Sequence, residues 1–232
     1  SGGNPHFDAQ LAEPIWGDPL YLMMAALVMV DSSLTAALSL SRADLARQLA
    51  QREVLRIQRF AERHGQSARA LLTHCAACVS LYGGLSRLDA LAVARSETEA
   101  IARDYPGGAG QLVDDLVSAL SGENGIAAVS PDIIGEAFIL EVFGQDDTAR
   151  EIIIRLARRE PERLVSTLIR LAIDFHEVSP CTLEWLNALI TQGDSTYFAL
   201  LITIADALPD STQALRAFAV EVTQAVYQRV KR

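Results

Sequence analysis

The chain contains the stretch Ser121-Gly122-Glu123-Asn124-Gly125-Ile126-Ala127-Ala128-Val129-Ser130-Pro131, and this stretch decides the fold class. Asparagine followed by glycine is a turn signal, and the apolar residues 126–129 behind it favour a short strand. Ser130 and Pro131 then favour the start of a helix. Outside this stretch the sequence favours helices and no second strand. The sequence therefore predicts an all-α protein with a minimal β wing.

Helix start and stop signals organise the part before the strand. Asp18 and Pro19 begin a helix over 20–30 that is apolar nearly all round, so we expect this helix to be central. Ser41 and Asp44 resemble a capping box and begin a long helix over 42–64. The pattern predicts further helices over 67–82, 86–94, 97–103 and 111–120.

Beyond the strand the pattern changes to longer helices with short loops. Pro161, Pro180 and Pro209 lie near the predicted joints. These helices pack most simply as antiparallel helical hairpins, and no repeat with a fixed period is present. The predicted helices cover 146–159, 161–177, 181–192, 195–208 and 211–230.

The pattern predicts four parts along the chain. Residues 1–3, a serine and two glycines, resemble a remnant of cloning, and residues 4–65 form a helical segment, which is lid-like only through the family resemblance given below. Several short helices followed by one small strand and another helix are typical of a winged-helix module with a reduced wing, here over 66–144. Residues 145–232 form a helical tail.

Composition excludes several classes of function. Hydrophobic residues make up 50% of the chain and charged residues 21%, which is enough for a large core. A net charge of -9 argues against nucleic acid as a partner, because phosphate contacts need Lys and Arg. Lys231 is the sole lysine, and it lies in no phosphate-binding motif. The rest of the chain therefore offers no lysine for a phosphate-binding loop or a Schiff base.

Cysteine content and hydropathy predict where the protein resides. Three cysteines, Cys75, Cys78 and Cys181, are too few for the disulfide framework of a secreted protein. The N-terminal residues do not resemble a secretory signal peptide, and the most apolar stretch, 20–30, is about half as long as a membrane span. We therefore expect a cytoplasmic protein without membrane segments.

Three features together resemble the region that follows the nucleotide-binding core in STAND NTPases, which are signalling ATPases related to AAA+, NACHT and NB-ARC proteins. Trp16-Gly17-Asp18-Pro19-Leu20 is similar to the Gly-x-Pro-Leu motif of that family at a helix start. The segment 125–132 is similar to a wing strand that runs into a closing helix. The helical tail occupies the place where such proteins often carry repeat sensors.

The resemblance implies that Gly17 and Pro19 lie beside the nucleotide in an intact parent protein, with the proline near the adenine base. The alternative is purely structural, with Gly17 forming a turn and Pro19 starting a helix. The chain has no Gly-x-x-x-x-Gly-Lys-[Ser/Thr] loop, so the resemblance places the ATPase core upstream of Asn4. ATP or ADP is then a ligand of the parent protein, and this fragment is expected to hold no cofactor of its own.

His74, Cys75 and Cys78 suggest a metal or redox hypothesis. His74 and Cys78 have the i, i+4 spacing that places two side chains on one helix face. A structural zinc needs four ligands, and only Cys181 and His176 are available from elsewhere in the sequence. Because the cysteines lie in an apolar helix, the sequence favours core packing and predicts no metal site.

Other charged clusters are best explained as solvated surface. We expect Asp114 and Asp115 to form a solvated helix edge, and Asp146 and Asp147 to mark a helix N-terminus. His176 is expected to be a C-terminal helix residue. The densest basic run is interleaved with acidic residues and is expected to be an ion-paired, solvated face, with docking of an acidic partner as the alternative. Its members are Arg155, Arg158, Arg159, Arg163 and Arg170.

The sequence therefore favours a non-catalytic regulatory and protein-interaction fragment of a STAND-type signalling ATPase. Its expected partners are other domains of the parent chain or another protein, with oligomerisation left open. One alternative is a free-standing α-helical adaptor or ligand-binding protein. A small helical enzyme is the third hypothesis, and the sequence offers no convergent acid, base or metal set to support it.

Overall fold

The computed structural model describes residues 17–123, 125–191 and 197–231. Trp16, Asn124 and the first three residues, all part of the sequence predictions, lie outside that range. Within it the chain forms 12 α-helices and one two-stranded antiparallel sheet. The prediction of an all-α fold with a minimal β wing is therefore confirmed.

The elements follow one another with short connections. Before the sheet lie α1 (Pro19–Met29), α2 (Leu34–Leu38), α3 (Arg42–Phe60), α4 (Gly65–Leu81), α5 (Arg87–Ala100) and α6 (Gly108–Ala119). The sheet consists of β1 (Ser121–Gly122) and β2 (Gly125–Ile126). After it come α7 (Asp132–Phe143), α8 (Ala149–Ala157), α9 (Pro161–Phe175), α10 (Cys181–Ile190), α11 (Tyr197–Ala207) and α12 (Arg216–Val230). In the described part, no helix combines the length and the apolar character that crossing a bilayer requires.

Contacts within the chain define two compact units, divided between Leu49 and Ala50 inside α3. In the first unit the Asp18 carboxylate accepts a hydrogen bond from the Leu20 amide at 2.9 Å and caps α1 as predicted. The Tyr21 hydroxyl donates a hydrogen bond to the Leu40 carbonyl at 3.1 Å. This bond connects α1 to the loop between α2 and α3. The short helix α2 was not predicted, since five residues carry too little periodicity.

The second unit is built around α4, which is buried without interruption from 71 to 81. Small side chains such as Ala76 and Ala77 let other helices approach it closely, and α5, α6, α7 and α9 all contact it. In the tail each helix from α8 to α12 contacts the next one in sequence. The predicted boundaries of the winged-helix module, at residues 66 and 145, stay predictions.

Two predicted elements differ from the structure. The separate helices over 86–94 and 97–103 are one helix, α5, because no glycine or proline interrupts it and Ser86 caps its start. The predicted strand over 126–129 is wrong beyond Ile126. The Val129 amide donates instead to the Ser80 hydroxyl at 3.2 Å, so the chain leaves the sheet to meet α4.

The small sheet has a third partner outside its two strands. Ser121 pairs with Ile126, and Gly122 pairs with Gly125. Ile126 also exchanges two backbone hydrogen bonds with Leu85, at 2.9 and 2.8 Å, in the connection between α4 and α5. These bonds attach the hairpin to the start of α5.

Candidate functional site

The two residues of the Gly-x-Pro-Leu motif lie at the start of α1, and both are exposed. Gly17 does not have a left-handed φ, and a Cβ placed on it would meet nothing within 4 Å. A local turn therefore does not require glycine at this position. Pro19 occupies the first helical position, where its missing amide leaves no hydrogen bond unmade.

Helix α1 has one buried and one exposed face, and both are apolar. Tyr21, Met24, Ala25 and Val28 are buried. Because each residue turns the helix by about 100°, the residues between them face the opposite side. The exposed α1 face consists of Leu22, Met23, Leu27 and Val30, which are 42%, 42%, 44% and 77% exposed. The expectation that α1 is central is wrong for this face.

A buried ion-pair network joins three helices of the second unit. Glu97 of α5 is completely buried, and both of its oxygens accept hydrogen bonds from Arg155 of α8, at 2.7 and 2.6 Å. Oε2 of Glu97 also lies 2.8 Å from Nε2 of His74 on α4. The His74 ring packs edge-on against Phe143, with ring centroids 5.2 Å apart.

Charge keeps this network together. Burial raises the pKa of the Glu97 carboxyl, but hydrogen bonds from Arg155 and His74 outweigh burial, so the net pKa lies below the ordinary value. Hydrogen bonding to Glu97 raises the pKa of Arg155. Since the Glu97 carboxylate is ionised and can only accept, it holds a hydrogen on Nε2 of His74.

Cys78 adds a thiol to this group. Potential metal-binding atoms of His74, Cys78 and Glu97 all lie within 4.8 Å of one another. Burial raises the pKa of the Cys78 thiol well above its ordinary value, and the nearby Glu97 charge raises it further. Cys75 is equally buried but does not belong to this cluster. Neither Cys181 nor His176, the ligands considered from sequence, belongs to it.

A cleft of about 590 Å³ opens beside the network. His74 and Arg155 lie in its wall, and 11% of the His74 side chain and 29% of the Arg155 side chain are exposed. The rest of the lining mixes positive, negative and apolar groups, so its charge does not favour an anion or a cation strongly. These residues are Ala100, Ile101, Arg103, Asp146, Thr148, Glu151 and Ile152.

The predicted acidic pairs behave differently from one another. Asp114 is exposed and forms an ion pair with Arg87, whereas Asp115 is buried and accepts a hydrogen bond from the Tyr105 hydroxyl at 2.5 Å. The prediction of a solvated edge is therefore wrong for Asp115. Asp146 lies before α8, where its carboxylate accepts from the Thr148 amide at 2.8 Å.

The predicted basic face is not uniformly solvated. Arg155 holds the buried Glu97, and Arg163 donates to the Gly84 carbonyl at 2.6 Å. Arg170 donates to the buried Glu136 at 3.2 Å. These arginines connect the tail helices to other helices and loops. His176 follows the last residue of α9, as predicted for a C-terminal position.

The role of Glu97 was not predicted, although the sequence contains a signal for it. Ala90, Val93, Ala94 and Glu97 follow helical spacing and form the buried stripe of α5. The sequence prediction divides α5 into two helices, so Glu97 is not recognised as part of this stripe. A carboxylate at the fourth position of an otherwise small and apolar stripe needs a cationic partner, and Arg155 supplies it.

Both oxygens of the Glu97 carboxylate have hydrogen-bond partners within the network. Burial raises the pKa of the Cys78 thiol well above its ordinary value, which disfavours the thiolate as a nucleophile. The simplest role of the network is to hold α4, α5 and α8 together.

A scan against protein-family models, a search of curated proteins and a search of solved structures each found no match for this chain.

Proposed function

We propose that the chain is a non-catalytic regulatory and interaction module of a STAND-type signalling ATPase, in which α1 docks against the nucleotide-binding core of the same parent protein. One observation carries the proposal. The helix that begins with the Gly-x-Pro-Leu motif turns a continuous apolar face toward solvent, namely Leu22, Met23, Leu27 and Val30.

The exposed α1 face has the chemistry of an interface. Contiguous exposed apolar patches mark interaction surfaces in soluble proteins, whereas single exposed apolar residues are ordinary. Burying such side chains against a partner contributes about 25 cal/mol for each Å² removed from water. Gly17 and Pro19, exposed at the start of this helix, would approach the nucleotide when the face is docked.

The order of elements in the second unit supports the winged-helix part of the proposal. Helix α4, the extended residue Leu85, helices α5 and α6 and the hairpin of β1 and β2 follow one another as in a winged-helix module. Helix α6 carries only the acidic residues Asp114 and Asp115 as charges. A protein surface is therefore a better partner for this module than DNA.

The mechanism would be conformational. In the resting state the module packs on the ATPase core, and on activation it moves away while the tail helices hold a partner. ATP or ADP is bound by the parent protein, with Gly17 and Pro19 on the nucleotide side. The proposed setting is the cytoplasm, and the proposed partners are other domains of the parent chain.

A charge placed on the exposed α1 face tests the docking. In the intact parent protein, Leu27→Glu should speed the release of bound nucleotide, because a buried, unpaired carboxylate would loosen the docked state. Stopped-flow release of a fluorescent nucleotide measures this rate. Val220→Glu is the matched control, since Val220 is an exposed apolar residue on α12. Equal release rates for wild type and Leu27→Glu would exclude docking through this face.

The second candidate is a free-standing α-helical adaptor or ligand-binding protein. The cleft of about 590 Å³ beside His74 favours it, because this volume suits a small ligand. The two candidates differ in whether a nucleotide-binding core belongs to the same polypeptide. Under this second proposal the exposed α1 face would bind a separate protein.

A further inference from the structure

We infer that His74, Cys78 and Glu97 form a binding site for a divalent transition metal ion, with zinc as the ion that fits best. This site goes beyond the proposed regulatory function and does not depend on it. The core-packing explanation favoured by sequence accounts for two buried cysteines. Core packing and the ion-pair network do not by themselves explain why a thiol joins a nitrogen and a carboxylate, with all three donor atoms within 4.8 Å of one another.

The fold brings the three ligands together from two helices. His74 and Cys78 are four residues apart on α4 and share a face, while α5 supplies Glu97. The three donor atoms lie within 4.8 Å of one another. Zinc binds nitrogen, oxygen and sulfur at about 2.0–2.3 Å, so small side-chain adjustments would bring all three donors to one ion.

The donor set selects the metal. Imidazole and thiolate together favour zinc over magnesium or calcium, which prefer oxygen ligands. On binding, the zinc–sulfur bond forms as the Cys78 S–H bond breaks, and the proton passes to water. The hydrogen that Nε2 of His74 directs at Glu97 must leave this nitrogen before it can bind the ion, either to Nδ1 or to water. Metal binding should therefore release at least one proton for each ion bound, the proton of Cys78.

Arg155 would act beside the metal ligands. Its Nε donates to Oε1 of Glu97 at 2.7 Å and can keep this bond, while the 2.6 Å bond from its Nη2 to Oε2 breaks as Oε2 turns toward the ion. The Cys78 thiolate and the Glu97 carboxylate would neutralise the charge of the ion. The remaining positive charge of Arg155 is tolerable, because 29% of this side chain is exposed. Partners of this kind orient metal-binding carboxylates.

The cleft leaves room for a fourth ligand. Of the three ligands only His74 lines the cleft of about 590 Å³, so a water molecule would reach the ion past the His74 ring. Structural zinc sites are closed by four protein ligands, whereas three protein ligands and an open position leave a water or a small anion on the ion. The site therefore fits a zinc ion with an exchangeable ligand.

Cobalt provides a direct probe. Titrating the full, metal-free chain with Co²⁺ should produce a cobalt–thiolate charge-transfer absorption that saturates at equimolar metal, and added Zn²⁺ should remove it. Cys75→Ser should keep this absorption, because Cys75 is buried on the same helix but lies outside the cluster. Cys78→Ser should lose it and should bind the metal roughly 10-fold more weakly or worse.

The wild-type spectrum alone decides whether the chain binds a metal ion through a thiolate. If the folded wild-type chain gives no cobalt–thiolate absorption, the inference is overturned whatever the variants do. Equal loss of the absorption in Cys75→Ser and Cys78→Ser would also overturn it, since only Cys78 belongs to the cluster. Circular dichroism of each variant establishes that a lost absorption does not arise from unfolding.

Discussion

Glu97 is a residue whose charge is stable only because of its neighbours. It is completely buried, and its carboxylate depends on hydrogen bonds from Arg155 and His74. A buried ion pair adds little net stability compared with an apolar replacement of both partners. Removing one partner is costly, because the other charge stays buried and unpaired.

We therefore expect Glu97→Gln to lower the free energy of unfolding by about 3 kcal/mol, which urea denaturation measures. The loss is at the lower end for a buried pair, because the partly exposed Arg155 can still be solvated when Glu97 loses its charge. The control is Asp114→Asn, which removes the exposed ion pair with Arg87 and should cost about 0.5 kcal/mol or less. Equal effects of the two substitutions would mean that the network contributes no more than a surface pair.

Glu136 on α7 is a second buried carboxyl with unusual electrostatics. Its side chain is 2% exposed, Oε1 accepts a hydrogen bond from Arg170, and Oε2 has no hydrogen-bond partner among the described residues. Burial, followed by the nearby Asp174, raises the pKa of Glu136 from its ordinary value to about 8, although Arg170 opposes the shift. The group is therefore protonated in the folded protein at neutral pH.

This raised pKa predicts how stability depends on pH. The folded chain binds the Glu136 proton more tightly than the unfolded chain, so this contribution is complete below about pH 4. It is lost as pH rises toward about 8. Glu136→Gln should flatten this decline in thermal unfolding measured from pH 5 to pH 8. The exposed Glu141→Gln on the same helix should leave it unchanged. A decline that is equally steep in Glu136→Gln would contradict the assignment.

At the scale of single residues, sequence finds pairs on one helix more readily than partners from different helices. The spacing of His74 and Cys78 indicates a shared face, since four residues make about one helical turn. The contribution of Glu97 depends on how α5 packs against α4, and that of Arg155 on the path of the tail. Neither is encoded in local spacing, so the sequence indicated only that His74 and Cys78 share a face, and it favoured core packing for them.

Among the elements, the β wing depends on a close approach of two backbones. Gly125 has a φ of 154°, and a Cβ placed on it would collide with the carbonyl oxygen of Leu85. The connection between α4 and α5 lies close to Gly125 because Leu85 and Ile126 form backbone hydrogen bonds with each other. Glycine is therefore required at Gly125 by both conformation and space.

We expect Gly125→Ala to lower the free energy of unfolding by on the order of 2 kcal/mol, through backbone strain and displacement of Leu85. Gly110→Ala is the matched control, because Gly110 lies in α6 with nothing within 4 Å of a new Cβ. That change should stabilise the chain by about 0.5–1 kcal/mol, as alanine favours helix. Thermal unfolding of both variants measures the difference, and a neutral Gly125→Ala would contradict the close approach.

Helix starts that carry a side-chain cap were predicted more accurately than burial or strand length. Asp18 caps α1 and Ser86 caps α5 through local hydrogen bonds, which sequence specifies directly. The predicted strand over 126–129 ended early, because Val129 bonds to Ser80 in a distant part of the chain. An apolar helix such as α1 can face a core or a partner, and its sequence alone does not distinguish the two.

For the whole molecule, composition predicted the fold class and argued against nucleic acid as a partner. Abundant small and branched apolar residues and few aromatic ones favour packed helices, and 12 of them form in the described part. The negative charge opposes nucleic acid. The function was less accessible, because the proposed activity depends on a nucleotide-binding core and on a partner for the exposed α1 face.

The most direct test of the central proposal is the sequence of the native gene upstream of residue 4. The proposal predicts a Gly-x-x-x-x-Gly-Lys-[Ser/Thr] loop there, followed by a strand that ends in acidic residues for Mg²⁺. Such a sequence would place Gly17 and Pro19 in a nucleotide-binding protein. A native reading frame that begins near residue 4 would contradict the proposal, and the exposed α1 face would then belong to a free-standing helical binding protein.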